Sequence, residues 1–131
     1  MPTVPVLVVE DRSEIRQALI GLLEHAGYSP RGASSCAEAR ELVGQLRFKV
    51  ILLDLKLPDG SGLDFCAELR TLAPQSAVVI ISGDSAVMEE DQLGGCQAIG
   101  FLSKPFSYAQ LDTMLRRVLD QGHGAESRPR S

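Results

Sequence analysis

Val50-Ile51-Leu52-Leu53-Asp54 is an unbroken aliphatic run that stops on a carboxylate. With no polar residue on either face, it reads as a strand buried on both sides, as in a parallel sheet covered by helices. Three further segments have the same form: Leu7-Val8-Val9-Glu10-Asp11, Val78-Val79-Ile80-Ile81-Ser82 and Phe101-Leu102-Ser103-Lys104-Pro105. Each apolar run ends at a carboxylate, a hydroxyl or an amine. The carboxyl ends of parallel strands are where open α/β sheets carry their sites.

Working outward, strand and helix signals alternate along the chain, which points to an α/β fold with a parallel sheet. The first strand is predicted near Val4–Val9. Ile15, Ala18, Leu19, Leu22, Leu23 and Ala26 then recur at the spacing of one helix face, and Gly27 stands where a helix C-cap belongs. A poorer strand near Ser29–Ala33 contains Pro30, which confines it to a sheet edge. Ser35-x-x-Glu38 reads as a capping box opening a second helix through Leu42, Val43 and Leu46.

The central run is followed by Pro58-Asp59-Gly60-Ser61-Gly62, a turn-rich loop leading into a helix over Leu63–Leu72. Ala77–Ile81 is the fourth strand. A helix beginning near Ala86 is expected to end at Gly94-Gly95. Gly100–Leu102 is a short fifth strand, and Ser107 caps a last helix with Leu111, Met114, Leu115 and Val118 as its core stripe. From Gln121 apolar residues give way to Gly, Ser, Pro and Arg, so Gly122–Ser131 is expected to be a mobile tail.

Composition narrows the function classes. At 131 residues, with 44% hydrophobic and 23% charged residues, the chain suits one globular domain with a single core. A formal charge of −4 argues against a nucleic-acid surface. No apolar run approaches the ~18 residues of a membrane span, and Met1-Pro2-Thr3 does not open a signal peptide, so a cytoplasmic location is expected. Cys36, Cys66 and Cys96 are widely spaced and odd in number, suggesting neither a disulfide framework nor a zinc site.

Taken in order, Glu10-Asp11, Asp54, Ser82 and Lys104-Pro105 resemble the receiver domain of two-component response regulators, the CheY-like superfamily. The resemblance runs from about Val4 to Leu119. It implies a flavodoxin-like (βα)5 three-layer sandwich with a parallel five-stranded sheet of order 2-1-3-4-5. It also implies a receiver domain over residues 1–120, with 121–131 a flexible tail or truncated linker. Asp54 would be the phosphoacceptor, taking a phosphoryl group from a histidine kinase or a histidine phosphotransfer protein. Ser82 and Lys104 would assist, and a cis peptide before Pro105 would aim the Lys104 ammonium inward.

Three carboxylates held together repel unless a cation intervenes, and Mg²⁺ accepts an octahedron of oxygens. The resemblance gives it Asp11 and Asp54 as direct ligands, Glu10 mostly through water, and the backbone carbonyl of Lys56; Mn²⁺ is a substitute. Ser82 and Phe101 would form the switch: the hydroxyl moves toward the phosphoryl group and the aromatic ring turns inward. Phe101 replaces the commoner tyrosine, so packing alone would bias it. Lys56 and Asp84 flank the expected pocket with opposite charges, as a pair that would screen the acyl phosphate from water.

Such a protein is a switch and not an enzyme, its chemistry limited to its own phosphorylation and dephosphorylation. Its output would be contact with a downstream protein, including phosphorylation-dependent dimerisation, with no direct role for nucleic acid or membrane. Four alternatives compete: a docking module that is never phosphorylated, a receiver cut from a larger regulator with an output domain, a flavodoxin-like cofactor binder, and a dehalogenase-type phosphatase. The last needs an aspartate two residues after the nucleophile, where this chain has Lys56. A flavodoxin-like cofactor binder needs a phosphate loop after the first strand, where Glu10-Asp11-Arg12 would repel phosphate.

In isolation each residue has a plainer role. Asp11-x-x-Glu14 reads as a capping box, Asp59-Gly60 as a turn, and Lys104 as a solvated charge.

Overall fold

Alternation along the strands sorts the apolar residues between two helical layers. The computed structural model describes residues 4–83 and 98–127. In chain order the elements are β1 (Pro5–Val9), α1 (Ser13–His25), β2 (Ser29–Ala33), α2 (Cys36–Gln45), β3 (Val50–Asp54), β4 (Lys56–Leu57), β5 (Gly60–Ser61), α3 (Gly62–Leu72), β6 (Ala77–Ser82), β7 (Gly100–Ser103) and α4 (Tyr108–Ser127). Successive side chains of a strand face opposite ways. Val50 and Leu52 accordingly pack with Leu19 and Leu23 of α1 and Leu111 and Leu115 of α4. Ile51 and Leu53 pack on the other face with Ala39 of α2 and Phe65 and Leu69 of α3. Every residue of β3 is buried, as its uninterrupted apolar run predicts.

The main sheet is parallel, with order β2-β1-β3-β6-β7. Numbering only its five strands gives 2-1-3-4-5, the expected order. The chain winds one way from β1 to β2 and the other way from β3 onward, which puts the topological switch point between β1 and β3. Pro30 lies in β2 at the sheet edge, where its missing N–H breaks no ladder.

Several local signals are realised. Gly27 takes φ +97°, and the Gly27 and Tyr28 amides donate to the carbonyls of Glu24 and Leu23, closing α1 with a Schellman motif. Ser107 and Gln110 form a full capping box on α4. At α2 the box is split: the Ser35 hydroxyl accepts from Glu38 N–H, while the Glu38 carboxylate accepts from Ser34.

Other expectations change. The sequence predicts a loop over 58–62, but Gly60–Ser61 within it pairs with Lys56–Leu57 just before it as an antiparallel hairpin, β4 on β5. The last helix continues through Ser127, past Gly122 where the tail was expected. Helix propagation adds one hydrogen bond per residue to turns already nucleated by the buried stripe, so it passes a glycine. Cys66 is disulfide-bonded, against the reading of the cysteine spacing, because sequence separation does not report proximity after folding. Cys36 is a buried free thiol whose pKa is pushed up to about 11, chiefly by burial and then by the Asp59 charge. The helix expected from Ala86, together with Asp84 and Cys96, lies outside the described residues.

Asp59 caps α2 from a distance. Its carboxylate accepts from the amides of Cys36 (2.8 Å) and Ala37 (2.9 Å), and these bonds hold its carboxyl below the usual aspartate value. A depressed folded pKa contributes stability that is full above the unfolded pKa and is lost as pH falls through the folded value. The stability advantage of the wild type over Asp59→Asn is therefore expected to hold at neutral pH and shrink below about pH 3.8. Urea unfolding across that range measures it.

Candidate functional site

Strand register gathers the polar chain ends. Val9 lies opposite Leu53, so Glu10 and Asp54 leave adjacent strands side by side. Asp54 pairs with Ile81, one residue before Ser82, and Ser82 pairs with Ser103, one residue before Lys104. Continuing the alternation, Glu10 and Asp54 share the face of Val8 and Leu52, the side on which α1 and α4 pack. The segment leading into α4 begins at Lys104, which therefore enters on the same side.

The Lys104 ammonium sits between the two acids. Its Nζ donates to Glu10 Oε1 at 2.7 Å and to Asp54 Oδ2 at 3.3 Å. Glu10 is fully buried and Asp54 is 5% exposed, so these contacts lie largely out of water. The Lys104–Pro105 peptide is cis, as the resemblance implied. Burial holds the Glu10 carboxyl above its ordinary value, and its bonds to Lys104 and to the Arg12 amide offset only part of that rise.

The plain capping role expected for Asp11 is not found. The N-cap of α1 is Arg12, with no side-chain cap bond, and Arg12 N–H donates instead to Glu10 Oε2 at 3.2 Å. Arg16 binds the Glu10 carbonyl at 2.8 Å. Asp11 stays exposed beside the pair. Ligand oxygens of Glu10, Asp11 and Asp54 all lie within 4.8 Å of one another.

This donor set suits a hard divalent cation. Glu10 is fully buried, bonded at 2.7 and 3.2 Å, and does not line the cavity that Asp11 and Asp54 face, which fits an indirect part for Glu10. Three ionised carboxylates against one ammonium leave two formal negative charges, the charge that one divalent ion cancels.

A cavity of about 360 Å³ opens onto the cluster, lined by Asp11, Arg12, Asp54, Lys56, Gly83 and Lys104. Ser82, beside Gly83, is buried at the end of β6, and its carbonyl accepts from Lys104 N–H at 2.8 Å. The Lys56 amide points to Asp54 Oδ1 at 3.3 Å, and its side chain is exposed at the rim. Phe101 stands apart on β7, 40% exposed. Arg12 was not singled out by sequence reasoning, although its place next to the acidic pair was a signal. From the sequence Gly62 is a turn residue. A Cβ there would stand 2.4 Å from the Asp54 carbonyl oxygen, so only glycine lets α3 start against the end of β3.

The family profile for the response regulator receiver domain matches residues 6–116. The chain belongs to this family. The receiver is 30% identical to the transcriptional regulatory protein PmrA of Pectobacterium parmentieri over 92% of its own length and 54% of that protein. It is 38% identical to the alginate biosynthesis regulator AlgB of Pseudomonas aeruginosa over 88% of its length and 26% of AlgB. It thus spans between about a quarter and about half of these relatives. Among solved structures it is similar to a response regulator protein from Burkholderia pseudomallei with a phosphorylated aspartic acid, calcium ion and citrate. The TM-score is 0.79 at 28% identity, covering 96% of the receiver and 75% of that chain.

The buried pair yields a stability test. Lys104→Met removes the ammonium and leaves Glu10 buried without its counter-charge, which costs about 3–5 kcal/mol. The double variant Glu10→Gln/Lys104→Met is expected to lose less, because no buried charge remains unpaired. Urea denaturation at neutral pH without divalent ions compares them.

Proposed function

We propose that the receiver is a phosphorylation-controlled switch of a two-component or phosphorelay system, with Asp54 as phosphoacceptor. The observation that carries this reading is the Lys104 bridge to Glu10 and Asp54 beside the open Asp11 carboxylate. The donor is a phosphohistidine on a histidine kinase or phosphotransfer protein. An Asp54 carboxylate oxygen attacks phosphorus as the P–N bond breaks; with the other ring nitrogen of the phosphohistidine protonated, the histidine leaves as a neutral imidazole and an acyl phosphate forms. No base is needed, because the nucleophile is an anion; the difficulty is the charge on the approaching phosphoryl oxygens.

Lys104 meets part of that charge. It lies 3.3 Å from Asp54 Oδ2, so an oxygen of the incoming group comes within its reach. Ser82 supplies a hydroxyl at the adjacent strand end, and a charge-assisted hydrogen bond of this kind contributes about 1.5–3 kcal/mol. Asp11, Asp54 and the Lys56 carbonyl would hold Mg²⁺ or Mn²⁺, with Glu10 acting through water. When bound, the ion neutralises the acids and the phosphoryl oxygens. The phosphorylated aspartate in the Burkholderia relative supports the assignment to Asp54.

A protein donor is favoured by a second groove. Ile15, Ala18, Leu19 and Leu22 of α1 face Pro105 and Phe106 across an apolar cavity of about 540 Å³. It shares Arg12, Gly83 and Lys104 with the acidic cavity, so a histidine-bearing helix seated there reaches Asp54 without a separate entrance.

Incubation with Mg²⁺ and acetyl phosphate is expected to add one phosphoryl group by intact mass. The addition should vanish with Asp54→Asn and without divalent ion. A well-folded wild type that gains no mass from acetyl phosphate or from any of a panel of kinases would overturn the reading in favour of a docking module.

Output is proposed to be protein contact, set by Ser82 and Phe101. The outward Phe101 ring suits the resting position, from which phosphorylation draws it inward. Its side-chain NMR resonances are expected to shift on phosphorylation; identical spectra in both states would exclude it from the switch. Lys56 lines the acidic cavity at its rim, where it is proposed to slow hydrolysis of the acyl phosphate.

A further inference from the structure

The segment between Asp54 and α3 is anchored along its length. Next to Asp54, Gly62 N–H donates to the Leu55 carbonyl at 2.9 Å, and Gly62 lies against the Asp54 main chain. In the middle, Lys56 pairs with Ser61 and Leu57 with Gly60. A ladder this short is marginal alone in water, since even a full isolated hairpin barely holds. At the tip, the Asp59 carboxylate reaches across 22 and 23 residues to the amides of Ala37 and Cys36.

That contact is more than α2 requires. The helix has its own N-cap, Ser35, whose hydroxyl accepts from Glu38 N–H at 3.1 Å. Asp59 therefore does a second job: it ties the hairpin tip to an element already packed on the sheet. Arg40 of α2 is paired in turn with Glu68 of α3 by two bonds of 2.6 and 2.9 Å. The hairpin thus hangs between α2 and α3, two helices clamped to each other.

We propose that Asp59 is a positioning residue for the cation site. By latching the hairpin to the start of α2, it holds the Lys56 main chain at a set place beside Asp54 and Asp11. It touches neither cation nor phosphoryl group and acts through the hairpin. The inference rests on the reading of the acidic cluster as a divalent-cation site, with the Lys56 carbonyl as one ligand. Residues that hold a metal ligand from outside typically change metal affinity by ~10–100-fold when removed.

The test is a titration of the full chain with Mn²⁺, following the free ion by electron paramagnetic resonance. Asp59→Ala is expected to weaken Mn²⁺ binding about tenfold, at the lower end of that range. Asp59→Asn keeps a carbonyl acceptor and is expected to fall between Asp59→Ala and wild type. Ser35→Ala removes the other α2 cap without touching the hairpin, and is expected to bind like wild type. Amide exchange at Cys36 and Ala37 should quicken in Asp59→Ala, reporting that the latch is open.

Unchanged Mn²⁺ affinity in Asp59→Ala with those amides exposed would overturn the proposal. So would an equal loss in Ser35→Ala, which would mean that Asp59 acts only by stabilising α2. If Asp59→Ala does not fold, the comparison of Asp59→Asn with Ser35→Ala decides on the same criteria. A wild type that binds no Mn²⁺ would overturn the cation site itself, and the latch with it.

Discussion

A fully buried glutamate next to a nearly buried aspartate needs a cation, and Lys104 is the one supplied from within the sheet's own edge. Desolvating a carboxylate costs several kcal/mol even after the protein relaxes around it, so Glu10 is tenable only while its partner stays in place. That requirement joins β1, β3 and the segment after β7, which are far apart in sequence. It also occupies Glu10, whose oxygens accept from Lys104 and the Arg12 amide. The exposed Asp11 and the end of Asp54 are left to meet whatever enters the cavity.

The edge remains negative after that pairing. Lys104 offsets one of the three carboxylates, and the excess is what a divalent ion or an approaching donor encounters. The side chains of Arg12 and Lys56 line the cavity beside the acids and moderate this field. An acidic pocket with cationic margins favours a phosphoryl group, which brings its own negative charge, only when a cation accompanies it.

The loop after Asp54 shows how position is set around such a site. Gly62 is held to the absence of a side chain by the strand end, and the hairpin tip is held by the start of α2. The strand carrying Asp54 is also buried along its whole length. The Asp54 carboxylate thus stands on a rigid element, while Phe101 on β7 is 40% exposed.

Much of this was legible in the chain. Uninterrupted aliphatic runs give buried parallel strands, helical stripes give the layers, and polar residues at strand ends give the four corners of the site. These are local patterns, set by burial and backbone geometry within a few residues. Cysteine spacing did not reveal the bonded state of Cys66, and the turn residues around Asp59 did not reveal a latch. Composition suggested a tail where α4 runs on to Ser127. The sequence by itself determined which residues reach the sheet edge. Only the tertiary structure decided that Glu10 is spent on Lys104, that Asp11 is not spent on α1, and that Asp59 binds α2. The physical reason is that hydrogen-bond partners are chosen by proximity after folding, and register, crossover and burial act between residues that lie tens of positions apart.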